Sequence, residues 1–266
     1  MAAAARKAVA TMGGMFDRGA AATTGPQSAR LPATLAALVA AALAAAAFVI
    51  AAIVVAATPV VAAAAPLGTD HPAPVILVVG DSISAGYGLE AGQGWVALLA
   101  ARLQTEGYRE RVVNASISGD TTAGGRARLP VLLREYQPTI VVLELGGNDG
   151  LRGGDVAATR DNLDAMARDA EVARARVLIL GMKMPPNYGP AYARAFDAIY
   201  GEVARARNAA LVPWLFAGFG EDLSRFQPDH IHPIAAAQPR MLDNVWPALL
   251  PLIGKRTNAT ASRKNR

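Results

Sequence analysis

The chain has 266 residues, about half of them apolar, which is enough for one ordinary domain beside a targeting segment. It contains no cysteine, which excludes a disulfide framework, a thiolate metal site and a cysteine nucleophile. The formal charge of +5 comes from the two ends, because the chain without residues 1–65 and 255–266 has 17 basic and 20 acidic residues. A nucleic-acid partner requires a basic face on the fold, so we do not expect one.

The first 65 residues differ in composition from the rest of the chain. Four basic residues precede an uncharged apolar run over 31–65, which ends in four alanines. This order is typical of an export signal, and the run is also long enough for an N-terminal membrane anchor. Because the positive charge precedes the apolar run, we expect the domain to be periplasmic or secreted, or else anchored to the inner membrane. A linker with proline, glycine and aspartate follows at 66–74.

Beyond the linker, short apolar runs alternate with amphipathic stretches. Strands are predicted at 75–79, 111–114, 139–143, 177–180 and 210–212, and helices near 92–106, 121–135, 155–174, 190–207 and 234–253. Strands that alternate with helices form a parallel sheet that is covered on both faces. The sequence therefore predicts one α/β domain over 75–253, followed by a basic, disordered tail over 254–266.

Polar clusters follow three of the predicted strands, and a fourth precedes the last helix. They are Gly80-Asp81-Ser82, 116–120, 146–149 and 229–233. Working residues in parallel sheets lie at the carboxyl ends of the strands. We therefore expect these clusters to meet at one edge of the sheet.

Ser82 is the candidate nucleophile, and it needs a base that a third group orients. The chain has three histidines, of which His71 lies in the linker. Asp229 precedes His232 by three residues, a spacing at which a turn lets the carboxylate reach the imidazole, whereas His230 is its direct neighbour. We expect His232 to be the base and Asp229 to orient it. The Asp-His-x-His run could also be half of a metal site, but no cysteine or spare histidine is available to complete it.

Acyl transfer also requires hydrogen-bond donors for the oxyanion. Ser82 offers its own backbone N–H, Gly119 lets another N–H approach the substrate closely, and Asn148 offers a side-chain amide. Each residue also has a structural interpretation. Ser82 could be a helix N-cap, Gly119 a residue with positive φ, and Asn148 an ordinary turn residue.

Six segments together resemble the SGNH (GDSL-type) hydrolases, and most closely their periplasmic thioesterase/protease/lysophospholipase (arylesterase) branch. They are GDSISAGYG, VVNASISGDTT, ARLPVLLREYQP, VLELGGNDGLRG, PPNYGPAY and DHIHP. The resemblance covers about 75–252, nearly the whole predicted domain. It implies a flavodoxin-like three-layer α/β/α sandwich with a five-stranded parallel sheet. One departure is His230, where related sequences carry glycine.

The resemblance implies a catalytic triad of Ser82, Asp229 and His232, with an oxyanion hole formed by the N–H groups of Ser82 and Gly119 and the side chain of Asn148. It also implies hydrolysis of small acyl esters and thioesters, including lysophospholipids, with no metal and no cofactor. A carbohydrate O-acetylesterase would use the same groups, and a non-catalytic binding module on the same sheet is a third interpretation.

The loops after the third and fourth strands are expected to contact the substrate. They supply the candidate substrate-binding residues Gly150, Leu151, Met184, Pro185 and Tyr188. Their apolar surface suits an acyl chain, and ordinary loop packing is the alternative. We expect the enzyme to be a monomer.

Overall fold

The computed structural model describes residues 72–254, apart from the side chain of Pro186. The predicted leader, most of the predicted linker and the predicted tail from residue 255 onward lie outside the described residues. Within residues 72–254, regular structure begins at Val75 and ends at Leu252.

Five parallel strands form one sheet in the order β2-β1-β3-β4-β5. The strands are β1 Val75–Gly80, β2 Arg111–Asn114, β3 Ile140–Glu144, β4 Arg176–Leu180 and β5 Ala210–Val212. Every residue of β1 and β3 is buried, because both strands lie inside the sheet and both of its faces are covered. This strand order is that of the flavodoxin-like folds, so the predicted fold class is confirmed.

Seven α-helices cover the sheet within the described residues. They are α1 Ser82–Ala85, α2 Trp95–Thr105, α3 Thr122–Tyr136, α4 Gly147–Leu151, α5 Val156–Val172, α6 Pro190–Ala206 and α7 Gln238–Leu249. Helices α3, α5 and α6 pack side by side in one layer, and α2 packs against α7 in the other. The sheet and the two helical layers make the predicted three-layer sandwich.

Four of the five long predicted helices agree with the structure to within about three residues, and the last one does not. The stretch predicted as one helix over 234–253 consists of a 3₁₀ turn, helix α7 and a second 3₁₀ turn, Leu250–Leu252. Pro251 cannot donate a backbone hydrogen bond, which limits the final stretch to a tighter turn. Asn148 is not an ordinary turn residue but the second residue of the short helix α4, which begins at Gly147.

No helix within residues 72–254 is long and apolar enough to cross a bilayer.

A leucine in the central strand tests the packing of this core. Leu143 in β3 is 0% exposed, whereas Leu223 is 58% exposed. We expect Leu143→Ala to lower the free energy of unfolding by about 2–5 kcal/mol, because it removes buried methyl groups and leaves a cavity. Urea denaturation measures the change, and Leu223→Ala is the matched control. Equal losses in the two variants would contradict the buried position of β3.

Candidate active site

The proposed nucleophile lies in a tight turn between β1 and α1. Asp81 is the N-cap of α1, and its Oδ1 accepts a hydrogen bond from the backbone N–H of Ile83 at 3.0 Å. Ser82 is therefore the first helical residue and not the cap, which leaves its hydroxyl free of the capping role. A side chain at Gly80 would lie 2.8 Å from both Glu144 Oε2 and Ser84 Cβ, so only glycine fits before this turn.

A chain of two hydrogen bonds joins the three predicted triad residues. His232 Nε2 lies 2.8 Å from Ser82 Oγ, although the two residues are 150 positions apart in the sequence. His232 Nδ1 lies 2.7 Å from Asp229 Oδ2. The His232 side chain is 16% exposed, so the imidazole is held with one edge toward solvent. This geometry allows the imidazole to take the hydroxyl proton while the carboxylate stabilises the resulting cation.

The carboxylate of Asp229 is held in its ionised form. Its Oδ1 accepts backbone hydrogen bonds from Ile231 at 2.9 Å and from His232 at 3.0 Å. Desolvation acts to raise the pKa of Asp229, but the hydrogen bonds from the His232 side chain and from these two amides outweigh it and lower the pKa to about 2. Both oxygens are thus engaged in orienting the loop and the imidazole.

His230 adopts a left-handed backbone conformation, which favours glycine over residues with a side chain. Its φ is +57°, in the left-handed region that a side chain disfavours. Its backbone N–H donates to the carbonyl of Gln227 at 2.9 Å, while the Asp229 oxygens bind Ile231 and His232.

Within residues 72–254 there is no cluster of three or more potential ligands that could hold a metal ion.

Asn148 and the turn that carries Gly119 meet beside the nucleophile. Asn148 Nδ2 donates to Asp81 Oδ2 at 3.0 Å and to the carbonyl of Asp120 at 2.9 Å. Gly119 is exposed with a φ of +81°, as expected for a residue that needs the freedom of glycine. The backbone N–H of Ile117 donates to the carbonyl of Gly80 at 3.0 Å, which fastens this turn to the end of β1.

Two buried carboxyl groups, Asp81 and Glu144, lie at the nucleophile turn, and the sequence did not single out Glu144. Burial raises the pKa of Asp81 to about 6. Burial and the nearby charge of Asp81 raise the pKa of Glu144 well above its ordinary value. The Ser84 hydroxyl donates to Glu144 Oε2 at 2.6 Å, so this acid fastens α1 to β3. An acidic residue inside the apolar run VVLEL was the signal that could have identified it.

A small cavity lies beside Ser82 and His232. It is a narrow crevice without room for a water-sized molecule, and its other lining residues include Tyr87, Leu89 and Gln238. The ring of Tyr87 lies 4.5 Å from the imidazole ring of His232, measured between centroids. A larger, open cleft follows β5 and is lined by Trp214 and residues 218–222, and it contains none of the predicted site residues.

Four of the five predicted substrate-binding residues form two contacting pairs. Gly150 is buried against Met184, since a Cβ on Gly150 would lie 2.4 Å from Met184 Sδ. Tyr188 donates from its hydroxyl to the carbonyl of Leu151 at 2.8 Å. Met184 is only 8% exposed and packs in the core, whereas Leu151 and Tyr188 are half-buried and Pro185 is exposed.

The low pKa of Asp229 predicts a pH-dependent contribution to stability. Because the pKa falls from an ordinary 3.8 to about 2, ionised Asp229 stabilises the fold above about pH 4, and this contribution is lost as the pH falls toward 2. We expect the stability advantage of the wild type over Asp229→Asn to shrink across this range. Urea unfolding of both proteins at several pH values measures it. An advantage that does not change with pH would contradict the hydrogen bonds described.

The sequence is similar to a family of known hydrolases. Residues 78–238 match the model of the GDSL-like Lipase/Acylhydrolase family. The chain is 59% identical over 181 residues to Esterase TesA of Pseudomonas aeruginosa, an alignment that covers 68% of this chain and 90% of that protein. It is 42% identical over 181 residues to Thioesterase 1/protease 1/lysophospholipase L1 of Escherichia coli, covering 68% of this chain and 86% of that protein.

A solved structure agrees with these matches. The psychrotrophic esterase EstA from Pseudoalteromonas sp., in a structure inhibited by monoethylphosphonate, superposes with a TM-score of 0.64 at 37% identity. The superposition covers 66% of this chain and 97% of the esterase. The matches show that the chain belongs to the GDSL-like lipase/acylhydrolase family and that it is an ester-hydrolysing serine hydrolase.

Proposed function

We propose that this enzyme hydrolyses acyl esters and thioesters, including lysophospholipids, with Ser82 as nucleophile, His232 as base and Asp229 as the residue that orients His232. The observation that carries the proposal is the hydrogen-bonded chain from Ser82 Oγ through the imidazole to Asp229, with distances of 2.8 and 2.7 Å. These are the distances at which a proton moves between nucleophile and base.

The reaction proceeds by two acyl transfers. His232 takes the proton of Ser82 as the hydroxyl oxygen attacks the carbonyl carbon, and the carbonyl electrons move to the oxygen. Collapse of this intermediate expels the alcohol or thiol, which receives the proton from His232. Water then attacks the acyl-enzyme by the same route and releases the carboxylic acid. The ionised Asp229 stabilises the imidazolium in both steps.

The oxyanion is bound by the backbone N–H groups of Ser82 and Gly119 and by the side chain of Asn148. An amide nitrogen has two hydrogens, and in the free enzyme both hydrogens of Asn148 Nδ2 are donated, to Asp81 and to Asp120. Asn148 must therefore share or exchange one of these bonds when the oxyanion forms.

The acyl chain lies along the surface on the side of Leu151 and Tyr188. Gly150, Met184 and Pro185 adjoin this surface, and the buried side chain of Met184 packs beneath it. The crevice beside Ser82 is too narrow to hold a long chain. Tyr87, Ile117 and Ile231 are all more than 40% exposed near the triad, which supplies additional apolar surface. The names of the relatives from Pseudomonas aeruginosa and Escherichia coli also favour acyl esters and thioesters.

Hydrolysis of p-nitrophenyl esters from acetate to palmitate, and of palmitoyl-CoA and lysophosphatidylcholine, tests this function. We expect activity on medium and long chains, and a loss of about 10⁶-fold in kcat for Ser82→Ala, because the acyl-enzyme cannot form. Ser224→Ala is the control, since this exposed hydroxyl bonds only Asp222 among the described contacts. Activity restricted to acetate would favour a carbohydrate O-acetylesterase. Equal rates for wild type and Ser82→Ala would exclude the proposed nucleophile and favour a non-catalytic module.

We also propose that the enzyme is exported, on the evidence of the basic and then apolar order of residues 1–65. Fractionation of cells that express the full chain should place the esterase activity in the periplasm or the medium. A version that starts at residue 66 is the control, and it should remain in the cytoplasm. Activity of the full chain in the membrane pellet would favour an uncleaved anchor, and activity in the cytoplasm would contradict export.

A further inference from the structure

We propose that Arg152 is a positioning residue that holds Gly119 and Asn148 in a fixed relation, so that both can donate to the same oxyanion. This inference rests on the proposed function. Arg152 follows the last residue of α4 and lies outside the proposed triad and the proposed oxyanion hole.

Arg152 contacts the segments of both proposed donors. Its guanidinium Nη2 donates to the carbonyl of Gly119 at 3.1 Å. Its backbone N–H donates to the carbonyl of Asn148 at 3.2 Å, which closes the last turn of α4. One residue therefore connects the helix that carries the amide donor to the turn that carries the backbone donor.

The turn at Gly119 has one hydrogen bond of its own, from the backbone N–H of Asp120 to the carbonyl of Ile117 at 3.0 Å. Gly119 is exposed, has no side chain and adopts a φ of +81°, so its backbone is intrinsically free to rotate. The neighbouring residues are fixed, since the Ile117 N–H donates to Gly80 and the Asp120 carbonyl accepts from Asn148. The bond from Arg152 adds a side-chain contact to the carbonyl of Gly119, which the hydrogen bond within the turn does not engage. It restricts rotation at the residue whose N–H must point at the oxyanion.

The charges nearby explain why the guanidinium binds a carbonyl instead of a carboxylate. Asp120 Oδ2 accepts from Arg128 Nε at 2.7 Å. Asp149 accepts from the backbone and the hydroxyl of Thr122 at 2.9 and 2.6 Å. Both acids are thus engaged by other donors, and the guanidinium of Arg152 donates to the Gly119 carbonyl. Six other arginines of residues 72–254 are paired with carboxylates, namely Arg102, Arg128, Arg160, Arg168, Arg207 and Arg225.

Kinetics of Arg152→Ala and Arg152→Lys in the full chain test the proposal with p-nitrophenyl butyrate, which carries no anionic group. We expect Arg152→Ala to lower kcat by roughly tenfold to a hundredfold, with KM within about twofold and an unchanged Tm. This loss is smaller than the 10²–10³-fold typical of removing a whole oxyanion donor, because Gly119 stays in place. Arg152→Lys should recover part of kcat, and guanidinium ions at millimolar concentration should partly restore Arg152→Ala.

Arg240→Ala is the matched control. Arg240 is also exposed, and its Nε donates to a backbone carbonyl, that of Ala217, at 3.3 Å. Its removal should leave kcat unchanged and show no response to guanidinium. An equal loss in both variants would overturn the positioning role.

Two further results would overturn it. One is an unchanged kcat for Arg152→Ala. The other is a raised KM confined to phosphate-bearing substrates such as lysophosphatidylcholine, which would make Arg152 a contact for the anionic group of the substrate. Ser82→Ala is measured beside these variants. If its rate equals that of the wild type, the proposed function fails. If Ser82→Ala abolishes activity but Arg152→Ala keeps the wild-type kcat, only the positioning role is overturned.

Discussion

The site depends on the parallel pairing of β1 with β2 and β3. In this register the last residue of β1, Gly80, lies opposite Glu144 of β3, while Val78 lies opposite Asn114 of β2. The three loops that follow these strands therefore start at one edge of the sheet. Ser82 and Asn148 lie at the start of the short helices after two of these loops and Gly119 lies in the third, so their proximity is a consequence of backbone hydrogen bonding within the sheet.

Asp81 connects two of these loops, although burial disfavours its ionised form. One of its oxygens caps α1 and the other accepts from Asn148, so a single carboxylate holds the nucleophile turn and the amide donor together. The surroundings that make it a good connector also raise its pKa to about 6. Burial and the charge of Asp81 raise the pKa of the neighbouring Glu144 well above its ordinary value. A second negative charge below Ser82 is therefore unfavourable.

The sequence predicted the strands well because buried parallel strands are continuous apolar runs, such as VILVV and IVVLE. It predicted long helices nearly as well, since their periodicity extends over several turns. It failed at the short helix α4 and at the ends of α7, where a glycine-rich stretch and a proline make several local conformations similar in energy. It also assigned Ser82 a possible capping role that Asp81 fills.

The sequence by itself determined the strand and helix pattern, the motif order and the residue types available for acyl transfer, because these are encoded locally. Only the tertiary structure decided which of those residues meet. It brought His232 within 2.8 Å of Ser82, occupied both hydrogens of Asn148, joined Arg152 to Gly119 and buried most of Met184. These outcomes depend on distances and burial between segments far apart in the chain, and no local pattern of residues specifies them.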